Sequence, residues 1–285
     1  MRGARRGLAA LLALACMATA TVSGRKLDRL AAWRDPADRL LYLPNGRYLK
    51  LASLGQAQVL ADLIYIWAIQ FYSDYDRKDR FRYLRHVFGD VITELDPHYV
   101  DAYWIGALIL IVEAQDLEGG LALFDKGIAA NPENWILPYL AAWECALAGF
   151  PARAAQYFER AATIEGAPPS VRRLRAAMAS RAGDLEASRA LWQEILVDAG
   201  SDPTSRAIAE RKVSEVSTQI ELRDLRAAVA RFLADNGRAP RSLAELVARG
   251  YIPRVPEGPD SAPYRYDPRT GEVQAPSARV LGGVP

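Results

Sequence analysis

Few residues in this sequence are suited to carry chemistry. The 285 residues include two histidines and two cysteines, too few for a thiolate metal site, a disulfide framework or a histidine relay. His86 lies within a helical pattern and His98 follows a turn, and neither has a second ligand nearby in the sequence. Cys145 occupies an inward position of a helical pattern, which favours a buried small hydrophobe over a reactive thiol. The sequence therefore predicts no metal site.

Charged clusters and nucleotide motifs lead to a similar expectation. Asp74, Asp76 and Asp79 fall in a break between two helical patterns, and the arginines between positions 172 and 175 fit a solvated helix face. The sequence contains no glycine-rich phosphate loop, no Gly-x-Gly-x-x-Gly after a strand and no His-Glu-x-x-His. We expect no catalytic residue, no cofactor and no small-molecule substrate.

The composition is that of a folded protein without a strong charge bias. Apolar residues make up 51% of the chain and charged residues 25%, which excludes wholesale disorder. The formal net charge is +2, and the excess of cations is concentrated in the first 30 residues. This balance gives no electrostatic argument for binding nucleic acid.

The N-terminus has the pattern of an export signal. Arginines at positions 2, 5 and 6 precede an uncharged stretch from Gly7 to Gly24, which is typical of a secretory signal peptide. Three outcomes remain open for residues 1–24: cleavage after Ala20, retention as a membrane anchor, or lipidation at Cys16, where residues 12–16 resemble a bacterial lipobox. Each outcome predicts a location in the bacterial cell envelope, in the periplasm and associated with the membrane through the N-terminus.

Aromatic residues recur at a fixed spacing in the middle of the chain. Phe124, Phe158 and Trp192 are 34 residues apart, and Gly149 and Gly183 repeat at the same interval in breaks between helical patterns. Each unit is interpreted as two amphipathic helices, and because such a pair cannot bury its own apolar face, neighbouring pairs must stack. The predicted units are 101–134, 135–168 and 169–202.

The pattern also predicts which residues of the helices are apolar and inward. The first helix of unit 101–134 has such a face at Ala102, Ile105, Leu108, Ile109 and Val112. An earlier helix pair is predicted from a face at Leu60, Leu63, Ile64, Trp67 and Phe71, followed by a second helix from Phe81 to Leu95.

These features resemble the tetratricopeptide repeat (TPR) family over about residues 66–202. The matching positions are Trp104, Phe124 and Pro132, then Ala154, Phe158 and Ala161, then Gly183, Asp184 and Trp192. The resemblance implies that the first helices of successive pairs line a concave groove that binds an amphipathic helix or extended peptide of a partner protein. The groove positions that it implies are Gln70, Asp74, Ile105, Ile109, Tyr139, Trp143, Arg173 and Arg181. An alternative is that the groove is filled by residues 25–60 or by the long helix 204–234 of the chain itself.

The C-terminal part is predicted to be a long helix and a small module. The long helix runs from about Thr204 to Ala234 and ends at Asn236-Gly237, where it can cap the stack. A short helix from Ser242 and a hairpin around Pro268 to Gly271 follow. This stretch resembles the C-terminal part of type II secretion pseudopilins, through Asn236-Gly237, Pro240, Ser242-Leu243, Gly250-Tyr251 and Pro263-Tyr264.

The predicted fold class is all-α: a TPR-like helical-hairpin solenoid with an N-terminal signal or anchor and a small irregular α+β module at the C-terminus. The predicted function is that of a non-catalytic scaffold or assembly factor of a bacterial envelope complex, for secretion, pilus assembly or polysaccharide export. Alternatives are an envelope enzyme or its regulatory subunit, with chemistry in residues 236–275, and a structural lipoprotein acylated at Cys16. The predicted segments are 1–24 (signal or anchor), 25–53 (linker or short hairpin), 54–202 (repeats), 203–235 (capping helix) and 236–285 (C-terminal module).

Overall fold

The described part of the protein is mostly helical, which confirms the all-α class. A computed structural model describes residues 43–76, 80–200, 202–258 and 262–275. The chain divides into two compact units, with the boundary between Asn131 and Pro132. Among the described residues, no helix is both long and apolar enough to cross a membrane. The predicted signal segment and Cys16 lie outside the described residues.

The first unit is built of helices and two π-helical segments. α1 and α2 both pack on the first π-helical segment and on α3. The same π-helical segment packs on α4, and α4 packs on α5. α1 therefore packs mainly on elements beyond α2, whereas α4 packs on the next helix, α5. The elements are α1 (Gly46–Ala52), α2 (Ala57–Tyr72), the first π-helical segment (His86–Ile92), α3 (Thr93–Leu95), α4 (Val100–Leu108), the second π-helical segment (Ile109–Glu113) and α5 (Leu117–Ala130).

A polar network supports the first π-helical segment. The widened turns of a π-helix disturb the regular pairing of backbone groups, and buried carbonyls need other donors. The Thr93 hydroxyl donates to the carbonyls of Phe88 and Gly89, at 2.8 Å each. The Lys126 Nζ of α5 donates to the Gly89 carbonyl at 2.6 Å and to Glu94 Oε1 at 2.7 Å. Lys126 therefore ties α5 to the segment where α-helical pairing is interrupted.

This network predicts a loss of stability in acid. The hydrogen bond from Lys126 lowers the pKa of Glu94 below its ordinary value of 4.5. When folding lowers the pKa of a carboxyl group, its ionised form stabilises the fold at pH values above the ordinary pKa. That stabilisation is lost as the pH falls through the pKa of the folded state. Glu94→Gln should therefore cost about 0.5–1 kcal/mol at neutral pH, and the difference from the native protein should shrink at an acid pH, below the ordinary pKa of 4.5. Denaturant unfolding at both pH values tests this; a difference that does not change with pH would contradict it.

The second unit continues with pairs of helices. α6 packs on α7, α7 on α8, α8 on α9 and α9 on α10, so consecutive helices are neighbours in this unit. Its elements are α6 (Ile136–Leu147), α7 (Pro151–Ala162), α8 (Ser170–Arg181), α9 (Leu185–Asp198), α10 (Pro203–Asn236), α11 (Leu243–Ala248), β1 (Arg265–Asp267) and β2 (Glu272–Gln274).

The ends of these helices explain the repeated glycines. Gly149 and Gly183 follow α6 and α8, and both have left-handed backbones, with φ of 83° and 85°. A residue with a Cβ is strained there, so glycine is favoured at both positions. The next helices begin with Pro151 at the first turn and with Asp184, whose side chain accepts a hydrogen bond from the Ala187 amide. The 34-residue interval thus coincides with equivalent turns between paired helices.

The C-terminal module forms around the end of α10. Gly237 has a φ of 66° and ends this helix at the predicted position. β1 and β2 form an antiparallel hairpin in which Tyr266 pairs with Val273. The module has a core of its own, which includes Leu225, Ala228, Val229, Phe232, Leu243, Leu246, Tyr264 and Val273.

The predictions for the segment before α2 and for the buried side of α2 differ from the structure. The segment predicted as a hairpin or linker contains α1, because Asn45 accepts a hydrogen bond from the Arg47 amide and starts a helix. On α2, the buried residues are Ala61, Ile64, Ala68 and Tyr72, whereas the predicted inward residues Leu63 and Trp67 are 60% and 37% exposed. α2 is apolar on nearly all sides, so periodicity could not show which side packs.

Candidate functional site

The residues suited to chemistry make structural contacts. His86 Nε2 lies 2.9 Å from the Leu43 carbonyl and its Nδ1 lies 3.2 Å from Asp90. His98 Nδ1 lies 3.2 Å from Asn131 Oδ1. Cys145 is buried. Within the described ranges, no three His, Cys, Asp or Glu residues are grouped closely enough to hold a metal ion.

The eight predicted groove residues are divided between the two units. In the first unit, Gln70 and Asp74 are exposed, and Ile105 and Ile109 are half-buried. In the second unit, Tyr139, Trp143 and Arg173 are half-buried, and Arg181 is exposed at the end of α8.

In the first unit, Gln70 shares the outward face of α2 with large apolar side chains. At the helical spacing of 100° per residue, Gln70 lies close to Val59, Leu63 and Ile66, and these three are 53%, 60% and 54% exposed. α4 and the second π-helical segment expose Trp104 and Val112, at 37% and 52%. Among the large hydrophobic residues of α4 and this segment, these two are exposed, whereas Ile105 and Ile109 are half-buried.

Periodicity alone placed Val112 inward, as part of the face that begins at Ala102. In the structure, the fully buried residues of α4 include Ala102, Tyr103 and Ala107. The π-helical turn after Leu108 breaks the regular spacing, and Val112 is therefore outward.

In the second unit, α6 carries a ladder of aromatic rings. Trp135, Tyr139 and Trp143 follow each other at intervals of four residues, with ring centroids 5.6 and 6.4 Å apart. Tyr139 and Trp143 also contact the ring of Phe158 on α7 edge-to-face, at 5.9 and 6.0 Å. Phe158 is fully buried. Edge-to-face contacts stabilise the packing beyond what the burial of apolar area contributes. They also hold the rings of Tyr139 and Trp143 in fixed positions.

Exposed apolar residues flank this ladder. Ile136 and Leu147 lie on the side of α6 that carries Tyr139 and Trp143, and they are 42% and 76% exposed. We call Ile136, Tyr139, Trp143 and Leu147 the α6 stripe. Burial raises the pKa of Glu144, the neighbour of Trp143 in sequence. The stripe combines rigid aromatic rings with accessible aliphatic groups, which suits an apolar helix face or extended peptide.

The predicted polar positions on α8 lie apart from aromatic groups. Arg173 lines a cavity of about 270 Å³ together with Arg172, Asp198 and Asp202. Arg172 is paired with Asp198 at 2.7 Å. Hydrogen bonds from the Ser205 side chain and the Thr204 amide lower the pKa of Asp202, and the charge of Arg173 adds to this. The charges of this cavity are therefore largely balanced.

A cavity of about 200 Å³ in the first unit is also lined by charged residues that are paired within the protein. Its lining includes Arg85, Asp90 and Lys126. Arg85 is paired with Asp116, and Lys126 with Glu94. Since both cations have anionic partners within the protein, this cavity does not favour an anionic ligand.

The contacts of α10 and α1 are relevant to the alternative that segments of the chain itself fill the predicted groove. α10 packs on α9, and its residues Ala209, Val216 and Ile220 share a core with Trp192 of α9 and Ala176 of α8. α10 therefore continues the order of helices at the end of the second unit. In the first unit, α1 packs on the first π-helical segment and α3. Residues 25–42 lie outside the described part of the chain.

Comparison with models of known protein families gives no match for this sequence. A search of curated proteins gives no match either.

The sequence reasoning missed several exposed apolar groups. Ile136 stands three residues before Tyr139, and helical spacing could have placed the two on the same side. Leu147 is at the end of a helix four residues after Trp143, at the same spacing. Trp104 is next to Ile105 in the sequence, about 100° away around the helix, so spacing does not place it with the groove positions. The available signal was that α2, α4 and α6 are apolar around most of their circumference.

Proposed function

We propose that this protein is a non-catalytic scaffold or assembly factor of the bacterial cell envelope that holds a partner protein on the α6 stripe. The partner contributes an amphipathic helix or an extended peptide with apolar side chains. The proposal includes export, membrane association through the N-terminus, and an architecture of TPR-like helix hairpins. A secretion, pilus or polysaccharide-export complex is the proposed setting.

The observation that carries the proposal is that the exposed residues Ile136 and Leu147 lie on the same side of α6 as the half-buried rings of Tyr139 and Trp143. Single exposed apolar residues are ordinary on protein surfaces, but contiguous ones mark interaction sites. On α6, exposed aliphatic groups flank aromatic rings that Phe158 holds in place. Rigid aromatic anchors are frequent among the residues that dominate binding energy. The helix pairs, the equivalent turns at Gly149 and Gly183, and the packing of consecutive helices support a repeat architecture.

A pair of photo-crosslinkers tests the stripe. Leu147 on α6 and Val197 on α9 are exposed to similar extents, 76% and 79%. A photoreactive phenylalanine analogue is introduced at either position, and intact cells are irradiated. We expect a discrete crosslinked product from position 147, and its loss when Tyr139→Ala and Trp143→Ala are added.

Three results would contradict the proposal, and the first of them uses the control position 197. The same product from positions 147 and 197 would show crosslinking by collision rather than binding. A product from position 147 that persists in the double alanine variant would exclude the aromatic ladder as the anchor. Turnover of a substrate by the purified protein would contradict the non-catalytic role.

A further inference from the structure

Exposed apolar side chains are concentrated at the start of the described chain. Of the fifteen large hydrophobic residues exposed in the described part of the chain, seven lie between positions 48 and 67. They belong to α1, to the turn after it and to α2. The seven are Tyr48, Leu51, Leu54, Val59, Leu63, Ile66 and Trp67.

α1 and its turn present the most exposed of these groups. Leu51 and Leu54 are 81% and 91% exposed, and Tyr48 is 69% exposed. On α1, Gly46 is the buried residue, and helical spacing places Leu51 about opposite to it. Leu54 has a left-handed backbone, with a φ of 53°, which is costly for a leucine. A leucine held in this conformation with its side chain in water has no explanation in the packing of the unit.

The charges on α1 are positive, whereas the acidic residue of α2, Asp62, is exposed. Arg47 and Lys50 lie on α1 among the exposed apolar residues, and the Arg47 side chain is 80% exposed although it reaches Glu94 at 3.4 Å. Residues 43–61 contain no acidic residue. The first one, Asp62, is hydrogen-bonded to Tyr99, where burial followed by the charge of Asp62 raises the pKa of Tyr99 to about 12.

α2 adds an apolar outward face of greater length. Val59, Leu63 and Ile66 recur at helical spacing, and Trp67 stands at the edge of the same face, 37% exposed. An apolar face with an aromatic residue at its edge, as on α2, and apolar groups with lysine and arginine beside them, as on α1, are both characteristic of helices that lie in the interface of a membrane.

We propose that α1, its turn and the outward face of α2 lie in the interfacial layer of a lipid bilayer that contains anionic lipids. This inference rests on the proposed membrane association of the N-terminus. About 20 residues separate Gly24 from Asn45, and a fully extended chain of that length reaches no more than about 70 Å. α1 is therefore held within reach of any bilayer that contains residues 7–24. Leu51 and Leu54 enter the acyl boundary, and Arg47 and Lys50 contact the headgroups.

Lipid quenching of a fluorophore tests the proposal in the full chain. The protein carries a fluorescent amino acid in place of Leu54 or, as the matched control, of Val197, and Cys16 is kept because lipidation there is one of the three outcomes for the N-terminus. Each protein is reconstituted into vesicles of phosphatidylcholine and phosphatidylglycerol with brominated acyl chains. We expect quenching at position 54 to exceed that at position 197 by at least about twofold, and to decrease in vesicles without phosphatidylglycerol because the attraction to Arg47 and Lys50 is lost.

Three results would overturn the inference. Equal quenching at both positions, in protein that floats with the vesicles, would leave the N-terminal attachment intact and remove the contact of α1 and α2. A blue-shifted label at position 54 that escapes lipid quenching and depends on protein concentration would show that a second copy covers the face. The same shift independent of concentration and of vesicles would show that residues 1–42 cover it. None of these results involves the α6 stripe, so the partner-binding proposal is tested separately.

Discussion

Replacing Phe158 by alanine should lower the free energy of unfolding of the second unit by about 3–5 kcal/mol. The side chain is fully buried, so its removal leaves a cavity and also forfeits the edge-to-face contacts with Tyr139 and Trp143. The loss is measured by denaturant unfolding of the full chain, followed by circular dichroism. A loss below about 1 kcal/mol would show that the site collapses around the smaller side chain.

A phenylalanine from the same unit provides the control. Phe150, in the turn between α6 and α7, is 47% exposed, and Phe150→Ala should cost less than about 1 kcal/mol.

The role of Phe158 in partner binding is tested with Phe158→Leu, which keeps apolar volume but removes the ring. This variant should remain folded and give a weaker crosslink from position 147, because Tyr139 and Trp143 lose the surface that positions them. An undiminished crosslink would show that the ladder does not need its support.

The sequence predicted the helices of the second unit well because its signals there are local. Gly183, Asp184 and Gly237 act within one turn of the chain, through a left-handed backbone or a capping side chain. Phe158, which is fully buried, was singled out by the 34-residue period, which is typical of stacked helix pairs. A turn and a repeated buried residue can be predicted without knowing which side of a neighbouring helix faces water.

The orientation of the apolar helices could not be predicted in the same way. On α2, the small residues Ala61 and Ala68 are fully buried while Leu63 is 60% exposed. A helix that is apolar on nearly all sides has no preferred direction in its periodicity, so its packing depends on the shape of its neighbours. The π-helical segments were missed for a related reason: the donors of Thr93 and Lys126 that support the first of them come from residues 5 and 37 positions away in sequence.

Close approach between α4 and α5 depends on glycine at position 127. Tyr103 of α4 is fully buried, and its hydroxyl donates to the Pro97 carbonyl at 3.2 Å. A Cβ added at Gly127 would lie 2.7 Å from Cγ and 2.9 Å from Cδ1 of the Tyr103 ring. These atoms belong to the confined part of the ring, so either the ring or the helix must move. Overpacking of this kind typically costs about 1–3 kcal/mol.

Gly127→Ala should therefore destabilise the first unit by about 1–2 kcal/mol, although alanine is the better helix former by about 0.5–1 kcal/mol. Gly89→Ala is the matched control, since a Cβ at Gly89 meets no atom within 4 Å, and it should leave stability unchanged or raise it. Thermal unfolding of both variants compares the two positions with the same chemical change. Equal melting temperatures would show that α4 and α5 can separate at no cost, and that the contact with Tyr103 does not set their distance.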